Sequence, residues 1–541
     1  MLKKHVILYI LLIIPVLYLI TLYNYDYHWD GVTYAWNIEN KPIETLFHKH
    51  HLIYTPFCKL IFLLISRLGI HIRGIDMLIW INIISGIFFL YLCFMIFRNI
   101  FHESRYAAPV GTFIIALSYS FGTQFRNASP YIITLSLCTL IIYRATRNYF
   151  KDNRFSINLL DWFLLLLAVL FHQLAILMLP SLIYIQLYSS DTKCIRTIFR
   201  NLSLFLFTLI GVYLITFFIT NETTSITSFI KWASGYATQR FWVFKEAKGF
   251  LPTIGLSLYE GIMSNKALFL APVQRSTIRL EEHVIYDGDP FFGNLVSWLI
   301  FIIFIWFIFD GFNRMSRDNH LVRLERLFLF WILPYIIFLQ FYTPYINFYR
   351  LFYILPLTIA LIHRVGSLIR TLNNLGFAAV TIVGFVSINY IFGYIPENIY
   401  LNNRYLVSSY EIKKNSTKND LFVFPSSSDY ADGIYVRYFG ERDISFFRQI
   451  KEPELVNISD EKIKEMCEAT KSWFLLNYKN IYAAQTRELS WEGFFIFGPP
   501  KLSGEKYPEI LLLNQSQIYL DYNIKYGDKA FRKIEIKDYS H

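Results

Sequence analysis

The sequence predicts a polytopic α-helical membrane protein with an α/β domain at its C-terminal end. The 541 residues are 55% hydrophobic and 19% aromatic, and the mean hydropathy is +0.37. Apolar runs of about 18 to 22 residues, long enough to cross a bilayer, recur along the chain. Beyond about residue 395 the apolar runs shorten and charged residues become more frequent. A domain outside the bilayer is therefore expected in this last part of the chain.

About eleven of the apolar runs are predicted to span the membrane. The first follows Lys3 and Lys4 and has no small-residue cleavage site, so it is interpreted as a retained helix rather than a signal peptide. A further apolar stretch, 52–68, is interrupted by Lys59 and ends at Arg67; it is expected to be a juxtamembrane or re-entrant helix on the outer side. The predicted spans are 6–22, 77–97, 106–122, 130–143, 157–171, 173–188, 202–220, 292–309, 327–342, 351–365 and 375–394.

Basic residues in alternate loops set the predicted orientation. With a cytoplasmic N-terminus, every inner loop carries Lys or Arg, which is the positive-inside pattern. The loops at about 23–76 and 221–290 and the C-terminal region then lie on the outer face. The sequence thus predicts a transmembrane part, residues 1–394, and an extracytoplasmic α/β domain, residues 395–541. In this domain the run Leu421–Pro425 is typical of a strand that leads into a helix cap.

Charge and cysteine usage exclude several classes of function. The net charge of +11 resides largely in the predicted inner loops and is not interleaved with stacking aromatic residues on a soluble face, so nucleic acid is not an expected partner. The five cysteines have neither metal-ligand spacing nor a disulfide pattern. No Gly-rich loop follows a strand in the C-terminal region, so a soluble nucleotide-sugar site is not expected there.

Two carboxylates, Asp26 and Asp30, follow the first apolar run directly. A charge at the edge of the hydrocarbon is costly, so an acidic residue there is a candidate for chemistry or ion handling. A solvated loop that merely ends the helix would explain an isolated Asp equally well. The surrounding aromatic residues suit the membrane interface and favour the functional interpretation, with Asp30 as the candidate base.

Imidazole and guanidinium groups occur in the same outer loop. His48, His50 and His51 surround Lys49, and Arg73 begins the second span. An arginine fork can hold a phosphate, and histidines can donate hydrogen bonds or bind a cation. The set therefore suits an anionic head group. For metal binding, an interfacial helix with its polar residues facing water is the favoured interpretation of the histidines.

Three later polar residues are expected on the same face. Arg126 lies between the third and fourth spans and, taken alone, is best explained as a snorkelling anchor. His172 interrupts an apolar run, and Arg350 opens the tenth span. Because the outer end of a span disfavours stray positive charge, Arg350 is the strongest phosphate-binding candidate of the three.

The order of these features resembles the GT-C glycosyltransferases, and within them the group of the lipid A aminoarabinose transferase and the protein O-mannosyltransferases. The motifs that carry the resemblance are Asp-x-x-x-Tyr-Ala from Asp30, the Leu-Gly-Ile-His-Ile-Arg run ending at Arg73, the segment Phe171–Ala175 followed by Pro180, and Arg350–Pro356. They lie within residues 1–365. The chain departs from the family pattern at the position after Asp30, where the family commonly has a second acid and this chain has Gly31. Asp26, Glu39 and Glu44 are the candidates for that second acid.

The resemblance implies an inverting transfer of a sugar from a polyprenyl-phosphate donor to a glycan, lipid or protein acceptor at the outer face of a bacterial plasma membrane. Asp30 would deprotonate the acceptor and Tyr34 would help to position the substrate. The resemblance leaves undecided whether a divalent metal ion serves as a cofactor. The residues expected to bind the donor phosphate are Arg73, Arg350, His50, His51, Arg126 and His172.

Two other classes of function use similar features. An O-antigen-type polymerase or ligase also acts on lipid-linked glycans, but its key Arg and His residues are expected in a late outer loop rather than beside an acid after the first helix. A transporter of lipid-linked sugars is expected to show internal repeats and broken helices near the midplane, and no clear repeat is visible here. The sugar transferase is the favoured interpretation.

Overall fold

The structure is a computed structural model of the whole chain. It describes residues 24–102, except Asp26, and then 107–188, 194–220, 225–234, 321–341, 347–372, 387–395, 403–425, 430–450, the strands between 480 and 536, and some single positions. The predicted spans 6–22 and 292–309, much of 375–394, and most of the 221–290 loop lie outside the described residues.

The backbone contacts divide the chain into two compact units. The first comprises Met1–Asn24 and Asn37–Asn398, and the second comprises Tyr25–Trp36 and Ile399–His541. The short segment Tyr25–Trp36, which contains Asp30, thus groups with the C-terminal part of the chain.

Helices form the described part of the first unit and follow the predicted apolar runs, except that residues 29–36 of the first helix, Trp29–Asn40, belong to the second unit. By length and composition, Gly74–Ile100 and Ile195–Thr220 are the two helices among the described residues that could cross a membrane. In chain order the helices are α1 (Trp29–Asn40), α2 (Tyr54–Arg67), α3 (Gly74–Ile100), α4 (Ala107–Ala116), α5 (Tyr119–Phe125), α6 (Tyr131–Asp152), α7 (Leu159–Phe171), α8 (Leu179–Leu187), α9 (Cys194–Thr220), α10 (Ile226–Ser234), α11 (Val322–Phe341) and α12 (Ile354–Leu372), with 3-10 turns at Ile43–Thr45, Gln173–Met178 and Asn347–Tyr353 and a π-helical turn at Asn389–Tyr394.

Helix α2 corresponds to the stretch 52–68, which was expected not to span. Its 14 residues reach about 21 Å at 1.5 Å per residue, short of the roughly 30 Å of a hydrocarbon core. Leu60, Leu64 and Leu68 are exposed on its surface, whereas the buried Lys59 donates to the Ile38 carbonyl at 2.5 Å. The helix is therefore shorter than a full membrane span.

The long helix α3 forms the centre of the first unit and packs against α6 and α4. At Gly86 the ring of Phe125 occupies the place where a Cβ would lie, a close approach typical of small residues between apolar helices. Asn82 on α3 donates to the Asn127 carbonyl at 2.6 Å. This bond ties the turn after α5 to α3.

The described part of the second unit contains a mixed sheet and two helices. The elements are α13 (Arg404–Asn415), β1 (Asp420–Pro425), α14 (Tyr430–Tyr438), β2 (Asp443–Ile450), β3 (Asn480–Ala484), β4 (Phe494–Phe497), β5 (Leu511–Leu513), β6 (Ile518–Tyr526) and β7 (Lys529–Ile536). The seven described strands have the order β5-β4-β2-β1-β3-β7-β6. Strand β1 is parallel to β2 and β3, and the remaining pairs are antiparallel. The side chains of Leu421 to Phe424 are all buried, as expected of a central strand covered on both faces.

Candidate functional site

Asp30 lies in the first turn of α1. Its side chain keeps 31% of its surface exposed, and its Oδ2 is 3.4 Å from His28 Nδ1. Desolvation by the surrounding protein raises the pKa of the carboxyl, and the charge of His28 offsets part of this rise. A carboxylate with a raised pKa is a stronger base, so the environment of Asp30 suits proton abstraction.

The neighbouring His28 has two alternative contacts through one nitrogen. Its Nδ1 accepts the backbone N–H of Asp30 at 3.3 Å, which requires a lone pair. A proton on the same nitrogen would instead pair with the Asp30 carboxylate. Both groups of Asp30, its backbone N–H and its carboxylate, therefore lie beside the same imidazole nitrogen.

Four histidines of the first unit lie against one another. The ring centroids of His48 and His51 are 5.2 Å apart, those of His48 and His50 are 5.4 Å apart, and those of His51 and His172 are 5.0 Å apart. We call these four residues the histidine cluster. The cluster joins the loop between α1 and α2 to the junction of α7 and its following 3-10 turn.

Gln173 holds the loop side of the cluster in place. Its Nε2 donates to the Lys49 carbonyl at 2.7 Å and to the Tyr213 hydroxyl at 3.0 Å, and that hydroxyl also donates to the Lys49 carbonyl at 2.9 Å. Because the amide nitrogen faces acceptors, Gln173 Oε1 must accept from His50 Nδ1 at 2.9 Å. Neutral His50 therefore carries its proton on Nδ1.

His48 and His172 have the opposite tautomer. Nδ1 of His172 accepts the backbone N–H of Leu174 at 3.2 Å, and Nδ1 of His48 accepts the backbone N–H of His50 at 3.4 Å. In the neutral form, both rings must then carry the proton on Nε2. The cluster thus offers two imidazole N–H donors whose tautomers are set by the backbone.

The imidazoles are neutral near pH 7. Burial is the main cause that lowers the pKa of His48 and His50 to about 4 and that of His51 well below its usual value. Burial and the neighbouring histidines lower the pKa of His172, which lies between two predicted spans, to about 3. Near pH 7 the cluster therefore presents hydrogen-bonding groups rather than positive charge.

We expect the protein to lose stability in mild acid because of this cluster. Unfolded imidazoles bind protons near pH 6.5, whereas folded His48 and His50 bind them only near pH 4, so the unfolded state holds more protons between these values. The melting temperature in detergent should fall as the pH is lowered below about 6.5, down to at least about pH 4. His48→Gln should flatten this dependence, whereas the same change at the exposed His71 should not. An unchanged slope in His48→Gln would contradict the assignment.

Arg350 is only 1% exposed and lies in the 3-10 turn Asn347–Tyr353. Its neighbours in this turn reach the histidine cluster, because the rings of Tyr349 and Phe352 lie 6.1 Å and 5.9 Å from that of His172. The turn itself is anchored by Trp331, whose Nε1 donates to the Phe352 carbonyl at 2.6 Å. The structure thus brings the Arg350 turn and the histidine cluster together.

Arg126 has structural partners. Its Nε donates to the Gly122 carbonyl at 3.1 Å, its Nη1 donates to Asn398 Oδ1 at 3.2 Å, and its guanidinium lies 4.7 Å from the centroid of the Tyr394 ring. Arg126 is buried, so it is not the snorkelling anchor that the sequence favoured. These contacts tie α5 to the π-helical turn.

The remaining predicted site residues differ in their surroundings. Glu39 Oε1 accepts the backbone N–H of Gly74 at 2.5 Å, so it caps the positive end of α3. Glu44 lies exposed in the turn Ile43–Thr45, and Arg73 is exposed just before α3. Tyr34 is buried within α1. Asp26 lies outside the described residues.

Among the residues that the structure describes, no group of three or more His, Cys, Asp or Glu is arranged to hold a metal ion. The hydrogen bonds that fix the imidazole tautomers also occupy Nδ1 of three rings in the histidine cluster.

Sequence reasoning missed several residues around these sites. Gln173 directly follows the predicted His172, and its role becomes visible only when Lys49 and Tyr213 converge on it in space. Asn403 and Tyr435, which contact the Asp30 segment, carry no sequence signal because they lie some 370 residues or more away from their partners.

No protein-family model matches the chain, and no curated protein matches it in sequence. Its structure is similar to that of the Archaeoglobus fulgidus oligosaccharyltransferase solved with Zn and sulfate, at 14% identity and a TM-score of 0.47, covering 88% of this chain and 68% of that one. It is also similar to ArnT from Cupriavidus metallidurans bound to undecaprenyl phosphate, at 11% identity and a TM-score of 0.45, covering 88% and 87%. An oligosaccharyltransferase and ArnT are thus among the solved structures to which the structure of this chain is similar.

Proposed function

We propose that this chain is an integral-membrane, inverting glycosyltransferase that moves a sugar from a polyprenyl-phosphate donor to an acceptor at the extracytoplasmic face. The observation that carries the proposal is Asp30. It is an acid with a raised pKa, it keeps part of its surface open, and it lies in the first turn of a helix within the Asp-x-x-x-Tyr-Ala motif.

Asp30 acts as the base in this proposal. It takes the proton of the acceptor hydroxyl while the acceptor oxygen forms a bond to the anomeric carbon. On the opposite side of that carbon the bond to the phosphate oxygen breaks, and its electron pair leaves with the lipid phosphate. Attack opposite the leaving group inverts the anomeric configuration. The raised pKa of Asp30 makes the proton transfer more favourable than it would be to an ordinary surface carboxylate.

The donor phosphate is assigned to the first unit. Arg350 supplies positive charge that is shielded from water, and His172 supplies a neutral Nε2–H donor. His50 and His51 support this donor through the histidine cluster, and the exposed Arg73 contributes long-range attraction. A phosphate that is neutralised in this way is a good leaving group without a separate general acid.

The membrane placement belongs to the same proposal. Residues 1–394 form the multi-pass part, α2 lies at the outer surface, and the α/β domain lies outside the cytoplasm. The apolar helices α3 and α9 and the basic inner loops support this arrangement.

The lipid that accompanies the purified protein tests the donor class. We expect native mass spectrometry of the protein, extracted in a mild detergent, to show one bound polyprenyl phosphate or its sugar adduct. An unrelated polytopic protein purified from the same membranes is the control. Bound phospholipid alone, at the level of that control, would contradict the assignment of the donor.

A further inference from the structure

We infer that Asn403 and Tyr435 of the C-terminal domain are positioning residues that hold the segment carrying Asp30. This inference rests on the proposed role of Asp30, and it gives the α/β domain a task in the reaction. All the contacts that carry it lie within the second unit, to which residues 25–36 belong.

The start of the segment is held by a chain of hydrogen bonds. Asn403 Nδ2 donates to the Tyr25 carbonyl at 2.5 Å and to the Tyr435 hydroxyl at 3.2 Å. That hydroxyl in turn donates to the Tyr27 carbonyl in a short hydrogen bond. Asn403 and Tyr435 thus bind the backbone just before Asp30.

The N-cap bond of Asn403 fixes which groups donate and which accept in this series of hydrogen bonds. Asn403 Oδ1 accepts the backbone N–H of Leu406 at 3.0 Å as the N-cap of α13, so its nitrogen must face Tyr25 and Tyr435. The Tyr435 hydroxyl accepts one bond and has one proton to give, which goes to the Tyr27 carbonyl. The side-chain amide of Asn403 therefore caps α13 and also binds the backbone of the segment that carries Asp30.

Ring contacts hold both ends of the segment. The Tyr27 ring stacks on Phe439 with centroids 5.3 Å apart, and Tyr435 contacts the same Phe439 at 5.3 Å. At the far end, the Arg437 guanidinium lies 4.7 Å from the centroid of the Trp36 ring. Helix α14 therefore holds the segment on either side of Asp30.

These contacts restrict the position of the segment that carries Asp30. Tyr27, Asn403 and Tyr435 are buried, so their hydrogen bonds are not replaced cheaply by water. A base must stay within hydrogen-bond reach of the proton that it removes, and a shift of about 1 Å can cost about 10²-fold in rate. Loosening this segment is expected to lower turnover without a matching loss of donor affinity.

Two conservative variants test the inference. Tyr435→Phe removes one oxygen and keeps the ring on Phe439. Asn403→Asp keeps the cap of α13 and removes the donor to Tyr25 and Tyr435. The matched control is Tyr405→Phe, whose hydroxyl has the exposed Arg404 side chain as its partner at 3.0 Å. Its ring also contacts Tyr435, at 5.5 Å.

The first measurement is backbone hydrogen exchange of residues 25–36 in the full-length protein in detergent. We expect faster exchange in Tyr435→Phe and Asn403→Asp, by about tenfold or more, and unchanged exchange in Tyr405→Phe. Wild-type exchange rates in both variants would overturn the inference. This readout does not depend on catalysis, so it stands even if Asp30 proves not to be the base. If one variant does not accumulate as folded protein, the other decides the result.

The second measurement is steady-state transfer. We expect a drop in kcat of about ten- to a hundredfold in both variants, with KM for the lipid donor changed less than about threefold. The double variant should lose less than the product of the two single effects, because both residues act through one hydrogen-bond chain. Loss of donor binding with unchanged kcat would show that these residues do not act through Asp30.

Discussion

Replacing Asp30 by Asn is expected to lower turnover by about 10³-fold or more, while binding of the lipid donor changes less than about twofold. The amide keeps the size of the side chain and its place in the first turn of α1, but it cannot accept a proton. The loss therefore falls on the transition state and not on the ground state. Turnover can be measured in detergent with a synthetic polyprenyl-phosphate sugar once an acceptor is identified, and otherwise with water as the acceptor.

The matched control for this change is Glu44→Gln, which removes an exposed carboxylate from the same outer loop. It is expected to keep most of the wild-type turnover. Glu39→Gln is expected to act differently again, through stability, because Glu39 caps the start of α3. If Asp30→Asn turned over at nearly the wild-type rate, the base would have to be another residue, and Asp26 would be the first to test.

Arg350→Ala is expected to weaken binding of undecaprenyl phosphate by about 2–3 kcal/mol, or roughly 30- to 150-fold. The guanidinium is almost fully buried, so water would poorly replace the phosphate contact that we propose for it. Arg350→Lys should recover part of the affinity, because it restores the charge but not the fork. Binding can be followed by titration of the purified protein with the lipid phosphate, with a neutral polyprenol as the reference ligand.

Two further variants separate binding from folding. Arg73→Ala removes an exposed charge, and its effect should be smaller and more sensitive to salt. Arg404→Ala changes an exposed arginine of the second unit and should leave binding unchanged. The melting temperature of Arg350→Ala must be measured alongside, since a buried side chain is removed. Equal affinity in Arg350→Ala and wild type would make Arg350 a structural residue.

The helical architecture was predictable because its signal is local. The apolar run at α3 predicts a helix by its length alone. In α2, Lys59 and Arg67 interrupt the apolar run, and they were the reason to expect a helix that does not span. The strand at Leu421–Pro425 was visible for the same reason. Its place at the centre of a mixed sheet was not, because strand order depends on pairing between distant residues.

The site residues were predictable only by type. Sequence position placed His50 and His172 among the phosphate candidates, but their tautomers depend on Gln173 and on backbone groups that meet in space. For Arg126 the sequence favoured a snorkelling anchor, but the structure buries this side chain against Tyr394. The contacts of Asn403 and Tyr435 with the Asp30 segment could not be predicted, because no periodicity connects residues so far apart in the chain.

The stereochemistry of transfer tests the central claim most directly. Purified wild-type protein would be given a synthetic undecaprenyl-phosphate sugar of defined anomeric configuration, and the product would be analysed by proton NMR at the anomeric position. The account predicts release of undecaprenyl phosphate together with a product of inverted configuration, and neither product with Asp30→Asn. A product of retained configuration, or transfer that persists in Asp30→Asn, would contradict it.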